Sequence, residues 1–509
     1  MNFTNEQNEI IFSEGDIKIN AVAGAGKTTT LYGYAKERQD KRILYLGFNR
    51  TVKEEAKKKF SDLPNVTVET AHSLAYRHIV KMGFRLAERF TLTDIMELLD
   101  IPKRPDTYAL AFHINKYISA YCNSDVINMK KLDYLSCVDA DTVDFVKKNY
   151  DAIMVHARTI LQKMNSREIR MTHDFYLKKF QTIKPILDYD VILFDEGQDT
   201  SPVMLDIFNN QKAQKVIVGD VHQQIYGWRF AVNSLDKCDF KNYNLSTSFR
   251  FDNNIALLAK HIIEVKDLNG DMNIEINGVG TFKSDKKVKA FLGRTNVGLI
   301  SKALEESKGN IHFEGNIHSY LKNDNGVSIY DILNLKNGKQ EWIKDPVIKN
   351  FKSIDNLSEY IEQSGDKQLK PLVDIVNIYD KRLPFLLKEL IACHVEKENA
   401  DYIFSTVHKS KGMEYDSVEM ADDFASINEI NPEDSNEEIN LIYVAATRTK
   451  SSLIINDKQV PESYKNKAMN IQIKKSKTEE KQKKNERYND NDKYNNDDND
   501  GFIRISVKN

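Results

Sequence analysis

The first half of the chain repeats short apolar runs, each of which ends in a polar or glycine-containing turn. These runs cover residues 17–22, 43–48, 66–69, 191–194 and 216–218, and several precede segments with helical patterning. A second set, at 290–293, 402–407 and 453–455, repeats the arrangement later in the chain. Strands that alternate with helices are typical of a parallel sheet wrapped by helices. The pattern therefore predicts two α/β domains.

Other stretches of the chain have a different pattern of apolar and polar residues. Residues 85–170 and 317–400 are patterned as helices with little strand signal, which predicts two helical insertions. From about Ile471 the chain is mostly Lys, Asn, Asp and Glu, with almost no apolar residue before Phe502. Such a segment buries too little apolar surface to order itself, so we expect a disordered, solvated tail.

Composition sets limits on the partners of this chain. The 509 residues, 41% of them apolar, are enough for two to four domains with cores of their own. Lys and Arg number 73 against 75 Asp and Glu, so any nucleic-acid binding must use a local basic stripe. The four cysteines lie far apart without a CxxC pair, which favours neither disulfides nor a zinc module.

Features of a membrane or exported protein are missing from the sequence. The segment MNFTNEQNEIIF has no basic region followed by an apolar core, and no stretch approaches eighteen uninterrupted apolar residues. The sequence therefore predicts a cytoplasmic protein without a membrane partner. The abundance of Lys, Asn and Ile suggests a bacterial or phage origin.

A glycine-rich turn follows the first apolar run, in the sequence IKINAVAGAGKTTTL. Small residues let backbone N–H groups approach phosphate oxygens, and the helix that follows directs its positive N-terminus at them. Lys27 can reach the β- and γ-phosphates of a nucleoside triphosphate, and Thr28 can bind Mg²⁺. Ala21 stands where the strict pattern has glycine, but the strand before the turn and the helix after it favour a phosphate loop over a chance turn.

A second, independent signal is VILFDEGQD, an apolar run that ends in Asp195 and Glu196. Asp195 is placed to hold Mg²⁺, usually through water, and Glu196 to orient and deprotonate the attacking water. Alone, the two acids could equally cap the next helix. Together with the phosphate loop they predict hydrolysis of a nucleoside triphosphate.

In their order along the chain, these and later motifs resemble the UvrD/Rep group of superfamily 1A DNA helicases, and among them compact members similar to F-box DNA helicases. The resemblance runs from Phe3 to about Lys450. It implies two RecA-like P-loop NTPase domains with parallel sheets, each carrying a mainly helical insertion. The implied division is motor domain 1A at 1–84 and 171–250, insertion 1B at 85–170, motor domain 2A at 251–316 and 401–470, a reduced 2B-like insertion at 317–400, and a disordered tail at 471–509.

The resemblance implies that ATP and Mg²⁺ are held between the two motor domains. Within FTNEQ, Gln7 stands at the position that reads adenine in this family, Gln223 at that of the γ-phosphate sensor, and Arg448 at that of the arginine finger. Nucleotide contacts fall on Gln7, Ala23, Gly24, Ala25, Gly26, Lys27, Thr28, Thr29, Phe249 and Glu414. Metal contacts fall on Thr28 and Asp195, and catalytic roles on Lys27, Glu196, Gln223, Arg250 and Arg448.

LGFNRTVKEEA and TAHSLAY resemble the motifs that grip the DNA strand. VGDVHQQIYGWRFA resembles the motif that couples nucleotide state to DNA, and FLGRTN and STVHKSKGMEYDSV resemble later motifs of the family. Single-strand binding without sequence reading uses aromatic faces for bases and cations for phosphates, and Trp228 beside Arg229 fits that role. Outside these motifs, His72 and His408 would be interpreted as structural histidines. The implied DNA contacts are Phe48, Asn49, Thr70, His72, Tyr226, Trp228, Arg229, Arg294, Asn296, Thr406 and His408.

The chain departs from the family pattern at several positions. Thr29 replaces an arginine that stacks on adenine in many relatives, and Phe249 takes the usual tyrosine position on the other face. One-sided stacking predicts a weaker preference for ATP over other nucleotides. Phe230 replaces a glycine and Asn440 a common arginine, both near the expected path of the strand.

The function that the resemblance implies is that of an ATP-dependent helicase or translocase. It would move 3′-to-5′ on single-stranded DNA, or on DNA with a 3′ single-stranded tail, in repair, recombination control or phage defence. Two alternatives stay open: a translocase that strips a recombinase from DNA, and an ATP-regulated DNA-sensing subunit that acts through a separate protein effector. An RNA substrate also remains open, because the fold hosts both nucleic acids.

Overall fold

Two six-stranded parallel sheets form the centre of the protein, seen in a computed structural model. The structure describes residues 2–87, 89–267, 274–281, 288–306, 309–322, 326–366, 368–465 and 471–474. The prediction of two α/β units with parallel sheets is thereby confirmed.

The first sheet has the order β3-β2-β4-β5-β1-β6, with every neighbouring pair parallel. Its strands are β1 Ile17–Ala21, β2 Ile43–Gly47, β3 Val66–Thr70, β4 Val191–Phe194, β5 Gln214–Gly219 and β6 Lys241–Leu245. The five predicted runs all form strands. The sequence did not indicate β6, because KNYNL is largely polar and lies at the edge of the sheet, where β1 is its partner among the described strands.

A short parallel pair, β7 Thr247–Ser248 and β8 Asn277–Gly278, follows the first sheet in the chain. The second sheet has the order β10-β11-β9-β12-β13-β14, again with parallel neighbours throughout. Its strands are β9 Lys289–Gly293, β10 Ile311–Phe313, β11 Tyr402–Thr406, β12 Tyr415–Met420, β13 Thr449–Asn456 and β14 Ile471–Lys474.

The last of these strands corrects the predicted start of the disordered tail. β14 occupies the first four residues of that stretch and pairs with β13, from Leu453 opposite Ile471 to Asn456 opposite Lys474. The composition of the whole stretch hides this short Ile-Gln-Ile-Lys alternation, whose backbone groups are satisfied by an existing sheet edge. Residues 475–509 lie outside the described residues.

Helices cover the two sheets and form the stretches between them. They are α1 Asn5–Ile11, α2 Lys27–Lys36, α3 Arg50–Lys59, α4 Ala71–Val80, α5 Leu92–Leu98, α6 Pro105–Asn123, α7 Val143–Asn165, α8 His173–Ile183, α9 Pro202–Asn209, α10 Ser234–Lys237, α11 Asn253–Glu264, α12 Asn296–Glu306, α13 Ile329–Lys336, α14 Ile354–Ser364, α15 Leu369–Tyr379, α16 Leu383–Ala392, α17 Val407–Ser410 and α18 Pro432–Ala446. Thus α5 to α7 lie in the predicted 1B stretch and α13 to α16 in the predicted 2B-like stretch.

The core follows the sheets. Every residue of β2 and β4 is buried, as expected for strands in the middle of a parallel sheet with both faces covered. The carboxyl ends of these strands carry the polar residues of the motifs, so the fold gathers the motifs at one edge of each sheet. Within the part of the chain that the structure describes, every helix is too short or too polar to cross a membrane.

Candidate nucleotide site and DNA-contacting surface

The phosphate loop joins β1 to α2 through two glycines in the left-handed region. Gly24 has φ +75° and Gly26 has φ +77°, which residues with a side chain rarely adopt. A Cβ added to Gly24 would lie 2.7 Å from the Cβ of Arg250 and from the Oγ of Ser248. Gly26 is the N-cap of α2 and provides no side-chain cap, so the first-turn N–H groups of α2 are open to phosphate oxygens.

Lys27 and Glu196 form an ion pair across the site, with 2.8 Å between Nζ and Oε1. Burial opposes ionisation of Glu196, but Lys27 and Lys411 outweigh it and lower the pKa of Glu196 to about 2. Burial likewise opposes the charge of Lys27, and the nearby carboxylates of Glu196 and Asp195 nevertheless raise its pKa. The carboxylate of Glu196 and the ammonium of Lys27 are therefore both charged at neutral pH. The backbone of Glu196 lies at φ +56°, a strained conformation for a non-glycine residue and one that clusters at functional sites.

Asp195 lies next to the hydroxyl of Thr28, which donates to its Oδ2 across 3.3 Å. The hydroxyl of Tyr45, in the middle of β2, donates to the same oxygen. Asp195 is 1% exposed, and burial together with Glu196 raises its pKa. The described residues include no cluster of three or more His, Cys, Asp or Glu that could hold a metal. The Thr28 and Asp195 oxygens suit Mg²⁺, which usually takes one or two protein ligands and completes its shell with phosphates and water.

Three of the residues predicted to contact the nucleotide surround Gly26. A Cβ built there would lie 3.2 Å from Gln7 Nε2, 3.9 Å from Thr29 Cβ and 4.0 Å from Phe249 Cδ2. The Phe249 side chain is 49% exposed, so its ring is available for stacking. Lys59, which the sequence did not single out, donates from Nζ to the Thr29 hydroxyl across 3.1 Å. A cation thus lies beside the position where many relatives carry arginine.

The second sheet contributes Arg448, which is 1% exposed. Its guanidinium donates to Val444 O across 3.0 Å and to Gln223 Oε1 across 3.4 Å. Burial, together with the nearby Arg250, lowers the pKa of Arg448 to about 9. The amide of Gln223 donates in turn to Asp220 Oδ2 across 2.7 Å. Gln223 therefore connects a buried arginine of one sheet to a buried carboxylate of the other.

Tyr443 makes a second connection between the two sheets. Its hydroxyl donates to Asp220 Oδ2 across 3.0 Å and accepts from the backbone N–H of Ala23 across 3.2 Å. Because Ala23 belongs to the phosphate loop, α18 of the second sheet touches the loop directly. Ala25, also predicted to contact the nucleotide, is buried.

Arg250 and Glu414 form an ion pair with 2.8 Å between Nε and Oε1. Arg250 also donates from a terminal nitrogen to the carbonyl of Thr447 across 3.0 Å, one residue before Arg448. Burial opposes ionisation of Glu414, but Arg250 and then Lys450 lower its pKa. The two predicted arginines therefore lie close together, one paired with a carboxylate and the other buried against carbonyl and amide oxygens.

Lys411 forms a buried ion pair with Asp199 that the sequence did not indicate. The two side chains are 8% and 1% exposed, and Lys411 also donates to the backbone carbonyl of Gln223 across 2.5 Å. Lys411 follows α17 of the second sheet, whereas Asp199 follows β4 of the first. The pair is thus a further contact between the two halves of the site.

The aromatic residues predicted to contact DNA cluster together. Phe48 and Tyr226 stack with ring centroids 5.7 Å apart and an interplanar angle of 22°. The Arg229 guanidinium lies 4.5 Å from the centre of the Trp228 ring, and Trp228 is 48% exposed. The Tyr226 hydroxyl donates to the backbone carbonyl of His408 across 3.0 Å. Residues from both sheets therefore meet at this aromatic cluster, which consists of Phe48, Tyr226, Trp228, Arg229 and His408.

Four predicted residues, Phe48, Asn49, Thr70 and His72, line one cleft of about 340 Å³. Asn49 and Thr70 also cap helices, since their side chains accept from the N–H groups of Val52 and Ser73 respectively. Burial lowers the pKa of His72, so this imidazole is neutral near pH 7. The cleft supplies polar edges and one aromatic face.

The remaining predicted contacts lie around the second sheet. Arg294 donates to both carboxylate oxygens of Glu438. Burial of His408 lowers the pKa of its imidazole to about 4, and the positive charge of Arg294 contributes to that decrease. Thr406 is 7% exposed at the end of β11, and Asn296 begins α12. The structure brings Arg294 close to the aromatic cluster and gives no direct contact between Asn296 and that cluster.

Comparison with known proteins identifies the family to which this arrangement belongs. The UvrD/REP helicase N-terminal domain family matches residues 3–235, and the UvrD-like helicase C-terminal domain family matches residues 402–455. The chain belongs to the UvrD/REP helicase family. The two matches include the phosphate loop, Glu196 and Gln223 in the first region and Arg448 in the second.

Individual helicases are similar over half of the chain or more. F-box DNA helicase 1 of Gallus gallus is 30% identical over 89% of this chain and 49% of its own length. F-box DNA helicase protein 1 of Schizosaccharomyces pombe is 28% identical over 89% of this chain and 57% of its own length. ATP-dependent DNA helicase PcrA of Leuconostoc citreum is 26% identical over 51% of this chain and 38% of its own length. The chain thus spans about half the length of the two F-box DNA helicases and a smaller part of PcrA.

One departure from the UvrD/REP pattern is accompanied by a second cation. Asn440, which stands where an arginine is common, accepts from the ammonium of Lys266 and donates to the carbonyl of Gln224 across 2.7 Å. The same ammonium lies 3.4 Å from His222 Nδ1, and burial lowers the pKa of Lys266 to about 8. No sequence signal indicates Lys266, because it lies far from Asn440 along the chain.

Proposed function

We propose that this member of the UvrD/REP family is an ATP-driven motor that moves along single-stranded DNA. The observation that carries the proposal is the contact of two sheets around one site: Lys27 and Glu196 from the first, and Arg448, which reaches Gln223, from the second. Hydrolysis of a phosphoanhydride needs positive charge on the γ-phosphoryl oxygens and a positioned base. A site divided between two domains makes that charge depend on how the domains meet.

The residues of the chain divide the work of hydrolysis. The α2 N-terminus and Lys27 would bind the phosphates, and Glu196, ionised at neutral pH, would accept a proton from water. Mg²⁺ held near Thr28 and Asp195 would neutralise charge on the phosphate oxygens. Arg448 and Arg250 would stabilise the negative charge that develops on transfer. In the present arrangement Lys27 pairs with Glu196, so phosphate binding would release Glu196 for its role as base.

Movement would follow from coupling the nucleotide site to the aromatic cluster. Gln223 and Tyr226 belong to one segment after β5, and Tyr226 contacts His408 on the second sheet. A change at the γ-phosphate could therefore alter the grip on DNA bases through a few residues. By resemblance to the family, travel would be 3′-to-5′, in repair, recombination control or phage defence.

The test is ATP hydrolysis measured without nucleic acid and with single-stranded DNA, duplex DNA or RNA of matched length. We expect single-stranded DNA to stimulate turnover most, and Lys27→Ala to abolish it while DNA binding persists. Equal rates in all four conditions, or normal turnover by Lys27→Ala, would refute the proposal.

The direction of travel, and the choice between duplex unwinding and protein displacement, are tested with duplexes that carry a single-stranded tail at a defined end. A 3′-tailed duplex should be unwound, or a protein bound to its tail displaced, whereas a 5′-tailed duplex should not. Activity confined to the 5′-tailed substrate would contradict the proposed direction. Displacement without unwinding would favour a translocase that strips proteins from DNA.

A further inference from the structure

A second, larger cleft lies away from the nucleotide site, where the chain after α4 meets the chain after α7. Its volume is about 910 Å³. Four arginines with exposed side chains line it, namely Arg85, Arg89, Arg167 and Arg170. None of them belongs to a motif that we assign to ATP or to DNA. We call this feature the arginine cleft.

Three carboxylates also line the arginine cleft, and each of them has a partner other than the four arginines. Asp94 accepts from the backbone N–H and the hydroxyl of Thr91, both at 2.7 Å. Glu97 pairs with Lys103 at 2.7 Å, and Glu168 pairs with Lys163 at 3.0 Å. None of the four arginines forms an ion pair with any residue that the structure describes. Four guanidinium groups and three carboxylates thus line the cleft, and among the described residues no carboxylate lies within ion-pair distance of the four arginines.

The arginines are held on a defined backbone. Ala87 N donates to Met171 O across 2.8 Å, and Met171 N donates to Arg85 O across 2.9 Å, which ties the two walls of the cleft together. The guanidinium of Arg167 lies 5.0 Å from the centre of the Phe84 ring. Because Arg167 packs on this ring, its guanidinium loses less side-chain entropy on binding an anion than a free surface lysine does.

Helix α4 connects the arginine cleft to the cleft predicted to hold DNA. Thr70 lines the DNA cleft and caps α4, whereas Gly83, just beyond the other end of α4, lines the arginine cleft. The 10 residues of α4 span about 15 Å at about 1.5 Å per residue. Phosphates of one DNA strand are about 3.4 Å apart along the helix axis, so this distance corresponds to about four of them. Arg89 extends toward Gly326 of the 2B-like stretch, where an added Cβ would lie 3.9 Å from its terminal nitrogen.

We propose that the arginine cleft binds the phosphate backbone of the same nucleic acid, beyond the stretch held at the aromatic cluster. Guanidinium groups form two-pronged hydrogen bonds with phosphate oxygens, and several in one cleft without an ion-pair partner among the described residues suit a row of closely spaced phosphates. This inference rests on the proposed function for the identity of the ligand. It adds a site that none of the motifs provides, on the predicted 1B insertion.

The test compares Arg85→Ala/Arg170→Ala with a matched double variant, Lys147→Ala/Arg158→Ala, whose exposed side chains lie on α7 outside the cleft. Arg167 stays in place because it packs on Phe84. Binding is measured without nucleotide, over a range of salt concentrations, for a single-stranded oligonucleotide and for a duplex with a 3′ tail. Arg85→Lys/Arg170→Lys serves as a folded variant that retains the charge.

Loss of two phosphate contacts should reduce the slope of log affinity against log salt by about 1.8 for duplex phosphates or about 1.4 for a single strand. A reduction on the tailed duplex alone assigns the cleft to duplex phosphates, and a reduction on both substrates assigns it to the single strand. Lys147→Ala/Arg158→Ala should keep the wild-type slope, and the lysine variant should keep most of it.

An unchanged slope in Arg85→Ala/Arg170→Ala, or the same reduction in the matched control, would overturn the proposal. So would loss of binding to a poly-glutamate peptide with DNA binding intact, because the cleft would then receive an acidic protein segment. Since no nucleotide is present, failure of the proposed ATPase activity leaves this experiment interpretable.

Discussion

Replacing Lys411 with methionine should destabilise the contact between the two sheets. The side chains of Lys411 and Asp199 are 8% and 1% exposed, so the substitution leaves a carboxylate buried without its counter-charge. Removing one partner of a buried ion pair typically costs about 3–5 kcal/mol. For a folding unit of roughly 150–250 residues each kcal/mol lowers the melting temperature by about 2–4 °C, so we expect a decrease of about 6–20 °C.

The loss should depend on pH in a defined direction. Burial raises the pKa of Asp199 to about 6, and Lys411 opposes that rise. Because this pKa lies above that of an unfolded aspartate, about 3.9, the folded protein binds the proton more tightly. The stability that this proton provides is present in acid and is lost as the pH rises through about 4 to 6. Without Lys411 the folded pKa rises further, so the loss continues above about pH 6.

Melting temperatures at about pH 6 and about pH 8 test both expectations. Lys411→Met should melt below wild type, by a larger margin at the higher pH. Adding Asp199→Asn removes the stranded charge and should restore part of the stability at the higher pH. Lys41→Met, which removes a lysine from an exposed pair with Asp40, should leave the melting temperature nearly unchanged. If Lys411→Met melts like wild type, or if Asp199→Asn gives no recovery, the pair does not stabilise the site.

Three further outcomes follow from the geometry of the site. Arg448→Ala should lower kcat for ATP hydrolysis by about 10³-fold or more, the usual contribution of an arginine finger, and wild-type kcat would contradict its role. Trp228→Ala should reduce stimulation of the ATPase by DNA and leave the DNA-independent rate intact. Trp342→Ala, which alters the other exposed tryptophan, should change neither rate. Equal effects of the two substitutions would argue against stacking of bases on Trp228. Tyr443→Phe removes the hydroxyl that joins Ala23 to Asp220. The free energy of unfolding, measured with denaturant, should decrease by about 1–3 kcal/mol. An unchanged denaturation midpoint would show that water replaces the two hydrogen bonds of this hydroxyl.

Local patterns were sufficient to predict the phosphate loop and the central strands. The loop needs small residues, left-handed glycines and a following helix, all of which are encoded within the few residues around Gly24 and Gly26. β2 and β4 are buried on both faces, so their apolar runs are continuous and easily recognised. β6 was missed because a polar edge strand takes its stability from backbone pairing with β1.

Contacts between distant segments could not be predicted in the same way. Asp199 and Lys411 are 212 positions apart, and each alone has the appearance of a surface residue in a polar motif. Lys266 is 174 positions from Asn440, and Lys59 reaches Thr29 from the far end of α3. Such partners are brought together by the way the two sheets and their helices pack, which no local periodicity records. The family resemblance was therefore enough to predict the nucleotide and DNA residues, whereas their partners Lys411, Lys266 and Lys59 are seen only in the structure.

The most direct test of the account is steady-state ATP hydrolysis by wild type and Glu196→Gln, each with and without saturating single-stranded DNA. The glutamine keeps the size of the side chain and removes the carboxylate that would accept the proton of water. We predict strong stimulation by DNA in wild type, almost no turnover in the variant, and DNA binding retained in both. Turnover of Glu196→Gln that equals wild type, or a wild-type rate indifferent to DNA, would contradict the proposal of a DNA-stimulated ATPase site between the two sheets.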